Sequence, residues 1–248
     1  MAIRMARLRR ERPSPQAMTL AEHLAELRRR LIYCVLAFGA AGVVAFVVYP
    51  HLLHFLQSPY CRVTRHCQLY VTGPLDGLSL RVKLAAYGGL FLSSPVLLWE
   101  LWRFVTPGLH ANEKRYAVPF VAASLVLFAS GVVLAYYTFP HALSFLAHVG
   151  GPTLQQIYDP NRYLGLIVAL MAVFGITFEF PVILVSLQLA GVLTPARLAS
   201  WRRWAIVLIV VLAAVITPSG DPFSMLALAV PLYAFYELSI LLGRLLRR

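Results

Sequence analysis

The sequence predicts an all-α integral membrane protein of six transmembrane helices with both termini in the cytoplasm, and three observations carry that expectation. Hydrophobic residues make up 60% of the chain, charged residues 13%, and the mean hydropathy is +0.73, against about 45–50% apolar and about 25% charged in ordinary soluble domains. Apolar runs recur at 31–49, 84–99, 116–139, 163–187, 204–216 and 222–242, with charges gathered almost wholly between them. Backbone amides in hydrocarbon must pair within their own segment, so such runs read as helices, and the alternation of a β-barrel is absent. Finally, 17 of the 22 Lys and Arg residues fall on one side of the resulting topology, which the positive-inside rule makes the cytoplasmic side. Arg62, Arg65, Arg81, Lys83 and Arg162 are the exceptions.

In chain order, residues 1–18 are basic, contain Pro13 and Pro15, and are expected to be disordered; residues 19–248 form one membrane domain. Arg9-Arg10 resembles part of an export signal, yet the next apolar run begins only at Leu31 with no small-residue cleavage site after it, so the first span is expected to be retained. Thr19-Leu-Ala-Glu22 fits a capping box, and Leu20, Leu24, Leu27 and Leu31 follow at helical spacing. They predict a short amphipathic helix lying along the cytoplasmic surface before span 1, with Glu22, Glu26 and Arg30 on its polar face.

Residues 50–76 read as a first outer loop between Pro50 and Pro74. Cys61 and Cys67 lie there, where a disulfide can persist, so a Cys61–Cys67 bridge and two free thiols both stay open; Cys34 inside span 1 is a small apolar filler. A metal site from Cys61, His66 and Cys67 lacks a fourth ligand. A second outer loop over 140–162 holds His141–His148, enough for a short surface helix, and Asp159-Pro160-Asn161 supplies N-cap chemistry for span 4. Gly39, Gly42, Gly88, Gly89, Gly131 and Gly175 lie inside spans where helices can approach closely. Spans 5 and 6 look short, which predicts local thinning of the bilayer.

Intramembrane acids are costly and need a reason. Glu179, in Phe174-Gly-Ile-Thr-Phe-Glu-Phe-Pro181, sits mid-span beside a proline expected to kink the helix. It is either a protonated acid hydrogen-bonded to a neighbouring helix or part of a transport path or partner site. Glu237 is placed to snorkel or to pair with Arg244, Asp221 to cap the outer turn between spans 5 and 6, and Gln188 needs only an interfacial explanation. On the cytoplasmic side Glu26 and Glu113 stand among basic residues. They either make local ion pairs, such as Glu26 with Arg30 at i, i+4, or receive planar guanidinium forks from a partner. The net charge of +12 fits anionic headgroups, since no nucleic-acid-binding fold stands outside the lipid.

Taken together, Glu22-His-Leu-Ala-Glu-Leu-Arg-Arg-Arg-Leu31, Ser94-Pro-Val-Leu-Leu-Trp-Glu-Leu-Trp-Arg-Phe-Val-Thr-Pro-Gly-Leu-His-Ala-Asn-Glu-Lys-Arg115, Phe174–Pro181 and Thr217-Pro218 resemble the TatC family, the multispanning receptor subunits of the twin-arginine protein translocase. The resemblance covers about Thr19 to Leu242. It implies a glove-like fold with a concave membrane face, and binding of twin-arginine signal peptides of folded cargo at the cytoplasmic face of a prokaryotic inner membrane. It implies assembly with single-span TatA and TatB subunits and with other copies of itself, export driven by the proton-motive force, and no cofactor, metal or bond-making chemistry. By the same resemblance Glu26 and Glu113 are the arginine-reading acids, Arg28, Phe104, Pro107 and Leu109 shape the surface between them, Glu179 belongs to the concave face, and Pro59 and Asp221 match residue types of the family. Glu100 stands where an uncharged amide is expected and either strengthens arginine binding or pairs with Arg103. The turn Thr217-Pro-Ser-Gly-Asp221 is one residue longer than the family's Thr-Pro-x-Asp.

Two other classes compete. A proton- or cation-coupled secondary transporter using Glu179 calls for an internal repeat and paired broken spans, and neither is found in the two halves. An intramembrane hydrolase needs a nucleophile with a base, or metal ligands at membrane depth, whereas every His lies in a predicted loop or helix end.

Overall fold

The first helix, α1 (Leu20–Val47), is one uninterrupted rod of 28 residues, about 42 Å long at 1.5 Å per residue. The separate surface helix expected before span 1 is therefore the first turns of α1. No proline or glycine occurs between Leu20 and Phe38, so nothing in that stretch breaks the backbone ladder. The computed structural model describes residues 20–64, 67–71, 73–105, 117–151 and 158–246.

Only 6% of the apolar window of α1 is buried, and its broad contact is with α3 (Asp76–Val105). Glycine makes that contact possible: a Cβ on Gly89 would lie 2.9 Å from the Gly42 Cα, and one on Gly88 would lie 2.8 Å from the Ala45 Cβ. Gly131 and Gly175 play the same part between α4 and α5, where added Cβ atoms would meet the Phe174 carbonyl at 2.6 Å and the Phe128 ring at 2.8 Å. Removing side chains brings backbones together where hydrocarbon offers little other drive to associate.

The expected first outer loop is largely helical. α2 (Tyr49–Val63) begins with Pro50 in its first turn and carries Pro59 in its interior. Pro59 has no N–H for the Phe55 carbonyl four residues back, and Tyr136 of α4 supplies the missing donor, its hydroxyl 2.9 Å from the Phe55 oxygen. The Tyr163 hydroxyl donates to the Leu56 carbonyl at 2.8 Å. These two bonds and the Tyr60–Tyr163 edge contact, with centroids 5.4 Å apart, fasten α2 against the C-terminal half of α4 and the first turn of α5. Cys61 and Cys67 form a disulfide with Cα atoms 4.8 Å apart.

α4 (Ala117–Val149) passes straight through Pro140, so the helix expected at 141–148 is continuous with span 3. The proline removes one backbone bond, while Phe139, Ala142 and Leu143 around it are 0–2% exposed, and that packing prevails over local propensity. α5 (Pro160–Thr177) starts with Asp159 accepting the Arg162 N–H at 3.0 Å. It stops at Phe178-Glu179, and α6 (Phe180–Leu189) resumes beyond the break with Pro181 in its first turn. After the six-residue α7 (Pro195–Ser200) come α8 (Arg202–Ile216) and α9 (Pro222–Leu246).

Among the described residues five segments are long and apolar enough to cross a membrane: 24–47, 76–103, 118–149, 160–189 and 222–245. α8 is the short one expected, 15 residues or about 22 Å. α9 is longer than the run 222–242 suggested, continuing through Pro231 to Leu246. The core lies between α2, α4, α5 and α9 around Phe139, Leu164, Ile167, Phe174, Leu228 and Ile240. Apolar side chains also cover the outside, with Val43, Val126 and Val215 more than two-thirds exposed, as a lipid-facing surface requires. The chain is a multi-pass, all-helical membrane protein.

Candidate functional site

At the end of the bundle where α1 begins and α3 ends, a cleft of ≈ 550 Å³ is lined by Glu26, Arg29, Arg30, Tyr33, Val96, Glu100 and Arg103. Helical periodicity builds both walls. Glu26, Arg29, Arg30 and Tyr33 stand at i, i+3, i+4 and i+7 on α1, and Val96, Glu100 and Arg103 at i, i+4 and i+7 on α3.

Arg30 joins the walls. Its Nε lies 3.2 Å from Glu26 Oε1, its Nη2 closes on the same oxygen, and its Nη1 donates to Glu100 Oε2 at 3.2 Å. The side chains of Arg30 and Glu100 are each 12% exposed and that of Glu26 is 25%. The i, i+4 pair read from the sequence is present, and it extends to α3. Glu100, for which arginine binding and a pair with Arg103 were both open, reaches across to Arg30. Arg29 turns the other way, donating to the Tyr33 hydroxyl at 3.2 Å with its guanidinium 5.8 Å from that ring's centroid.

Arg28 is exposed and does not line the cleft. Glu113, Pro107 and Leu109 lie outside the described residues, and Phe104 closes α3 with its side chain likewise outside them. Sequence reasoning treated Arg30 only as a helical partner and passed over Arg29 and Tyr33. The i+3 and i+7 spacing from Glu26 was the available signal.

Two residues beyond Glu100, the Trp102 indole N–H donates to the Ser124 hydroxyl of α4 at 2.5 Å. Ser124 stands in turn beside the Glu179 carboxyl at the α5–α6 break. Trp102, Ser124 and Glu179 are 5%, 0% and 7% exposed. Among the described residues neither Glu179 oxygen has a hydrogen-bond partner of ordinary geometry. Outside this group, an apolar groove of ≈ 380 Å³ runs past Pro181 and Val182 between α4, α6 and α9.

The other polar residues are structural in geometry. Glu237 pairs with Arg202 of α8 at 2.7 Å and accepts from the Tyr233 hydroxyl at 3.2 Å; Arg244, its expected partner, is one helical repeat too far along the same rod. Asp221 is fully buried, accepting the Ser224 N–H at 2.7 Å and the Ser219 hydroxyl at 2.5 Å. Gly220 at φ +59° accommodates the extra turn residue. Gln188 is no interfacial residue: it is 1% exposed and donates to the Ser239 carbonyl of α9 at 3.0 Å. His51 and His54 stand within α2 rather than in a loop. Among the described residues no group of three or more His, Cys, Asp or Glu is placed to hold a metal ion.

A family model described as the Sec-independent protein translocase protein TatC matches residues 22–231. Curated relatives carry the same description. One from Frankia casuarinae is 44% identical over 238 residues, covering 91% of this chain and 65% of its own length. Relatives from Deinococcus radiodurans and Aquifex aeolicus, 36% and 37% identical, are covered over 90% and 97% of theirs. The chain thus spans about two-thirds of the Frankia relative and nearly all of the other two. A crystal structure of the twin-arginine translocase receptor TatC superposes with a TM-score of 0.74 at 35% identity, covering 92% of this chain and all of that one. A second, obtained in the detergent DDM, gives 0.74 at 36% identity. A match over this much of the chain, carried by sequence and by fold together, makes it a member of the TatC family.

Proposed function

We propose that this chain is the receptor subunit of a twin-arginine translocase: it binds twin-arginine signal peptides of folded proteins at the cytoplasmic face and assembles with TatA- and TatB-type single-span subunits and with further copies of itself. It makes and breaks no covalent bond. The observation that carries the reading is the Glu26–Arg30–Glu100 contact, in which carboxylates from two helices already clasp a guanidinium. Arginine's planar fork suits such a clasp, whereas lysine offers a point charge with no fork. Glu113 is a third acid of the same site, with Arg28, Phe104, Pro107 and Leu109 forming its rim.

In this reading the cleft faces the cytoplasm of a prokaryotic inner membrane, which the gathering of 17 basic residues on that side supports. α8 makes the sixth crossing, thinning the bilayer beside it. Glu179, Trp102, Ser124 and the apolar groove along α4, α6 and α9 receive partner helices, with Glu237 on the same partner side. Pro59 and Asp221 set the outer surface. Family membership favours this reading over a coupled transporter using Glu179.

Site-specific photocrosslinking tests it. A photoreactive residue placed in turn at positions 100 to 113 should capture a twin-arginine signal peptide and not its twin-lysine counterpart. Equal capture of the two, or capture only from the outer surface, would refute the assignment.

A further inference from the structure

The cleft described as a receptor for guanidinium groups already contains one. Arg30 commits three of its five donors to Glu26 and Glu100, and the three side chains are largely withdrawn from solvent. Arg29 and Arg103 line the same cleft, so the described walls carry three cations and two anions. A peptide bearing two arginines and meeting these walls unaltered would find Glu26 Oε1 and Glu100 Oε2, the two oxygens that meet across the helices, already held by Arg30. Binding in that clasp requires the acids to change hands.

We infer that Arg30 is a displaceable latch: the chain's own guanidinium occupies the Glu26–Glu100 clasp until an incoming arginine exchanges for it. The inference rests on the reading of this cleft as a twin-arginine site. Arg30 is one turn from Glu26 on α1, and its flexible stem lets the head swing outward while its backbone stays in the helix. The two acids need not follow, since α1 and α3 are held together further along by the Gly42–Gly89 and Ala45–Gly88 contacts. Swapping one guanidinium for another conserves the number of charge-assisted hydrogen bonds, so the exchange is nearly balanced for arginine. A lysine ammonium cannot present a rigid fork to carboxylates on two helices, and Arg30 outcompetes it. The latch thus converts a generally acidic attraction into discrimination, by making every ligand compete with an arginine. It weakens apparent affinity in proportion to the time it is closed.

The test uses the full chain in lipid nanodiscs with fluorescent twin-arginine and twin-lysine signal peptides, comparing the unaltered protein with Arg30→Gln, Arg30→Lys and Arg29→Gln. Arg30→Gln should tighten twin-arginine binding about tenfold, equivalent to ~1.4 kcal/mol, and tighten twin-lysine binding more, so that discrimination shrinks. Arg30→Lys keeps the charge and should tighten binding a few-fold; it decides the matter if Arg30→Gln fails to fold. Arg29→Gln removes a like charge from the same cleft, but from a side chain whose Nε is turned to Tyr33, and should change binding about twofold at most. Unchanged or weaker binding in both Arg30 variants, or an Arg29→Gln effect equal to that of Arg30→Gln, overturns the latch and leaves the cleft assignment standing. Failure of every protein, the unaltered one included, to prefer the twin-arginine peptide overturns both.

Discussion

Replacing Tyr136 by Phe removes a single hydroxyl, the donor 2.9 Å from the Phe55 carbonyl. The ring contact survives, since Phe can keep the stacked arrangement with Phe55, whose centroid is 4.5 Å away. What is lost is a hydrogen bond that α2 cannot replace, because the residue four positions on is Pro59. The bond is only part-buried, with Phe55 49% exposed, so its loss costs about 0.5–1.5 kcal/mol, which for a chain of this size lowers Tm by roughly 1–6 °C. The reasoning makes a sharper demand through a second substitution. Pro59→Ala restores an N–H aimed at the same oxygen, so Tyr136→Phe in that background should cost no more than about 0.5 kcal/mol. The coupling energy, the difference between the two costs, is then about 0.5–1 kcal/mol. Unfolding of the four proteins in detergent, followed by circular dichroism against temperature or added SDS, completes the cycle. Equal cost of Tyr136→Phe with and without Pro59 would refute the pairing of the tyrosine with the proline-freed carbonyl.

Other consequences follow from individual contacts. A Cβ on Gly243 would collide with the buried Gln188 amide, so Gly243→Ala should destabilise by about 1–3 kcal/mol and Gln188→Ala should relieve most of that in the double variant, as unfolding midpoints will report. The Arg202–Glu237 pair has side chains 46% and 32% exposed, so Glu237→Gln should shift stability by no more than about 0.5–1 kcal/mol and less at high salt. The Cys61–Cys67 bridge closes a short loop, worth about 2 kcal/mol by chain entropy; reductant should lower Tm by several degrees, and a Cys61→Ser/Cys67→Ser variant should be insensitive to it.

The helices and their membrane character were legible because burial in lipid leaves continuous apolar runs whatever the tertiary arrangement. The α5–α6 break was legible for a similar reason, since Pro181 marks it locally. Pro59 and Pro140 carried the same local mark and yet stand inside helices. In the first case a tyrosine 77 positions away replaces the lost bond; in the second the core around Phe139 and Leu143 holds the rod together. Neither compensation is written near the proline. The site divides the same way. Glu26 with Arg30 is an i, i+4 pair that any helical reading finds, whereas the link from Arg30 to Glu100 spans 70 residues and exists only because Gly42 and Gly89 let α1 and α3 touch. Gln188 was misplaced as interfacial because a polar residue near a run's end looks alike whether it meets headgroups or, as here, a carbonyl of α9.

The central claim is that acids on α1 and α3 read arginine by clasping its fork, and peptide affinity measures it most directly. Binding of a twin-arginine signal peptide to the full protein in nanodiscs should exceed that of the twin-lysine peptide. In Glu26→Gln/Glu100→Gln it should fall about 30-fold or more, equivalent to ~2 kcal/mol, with the unfolding midpoint still that of a folded protein. Undiminished affinity in the double variant, or no preference for arginine over lysine in the unaltered one, would contradict it.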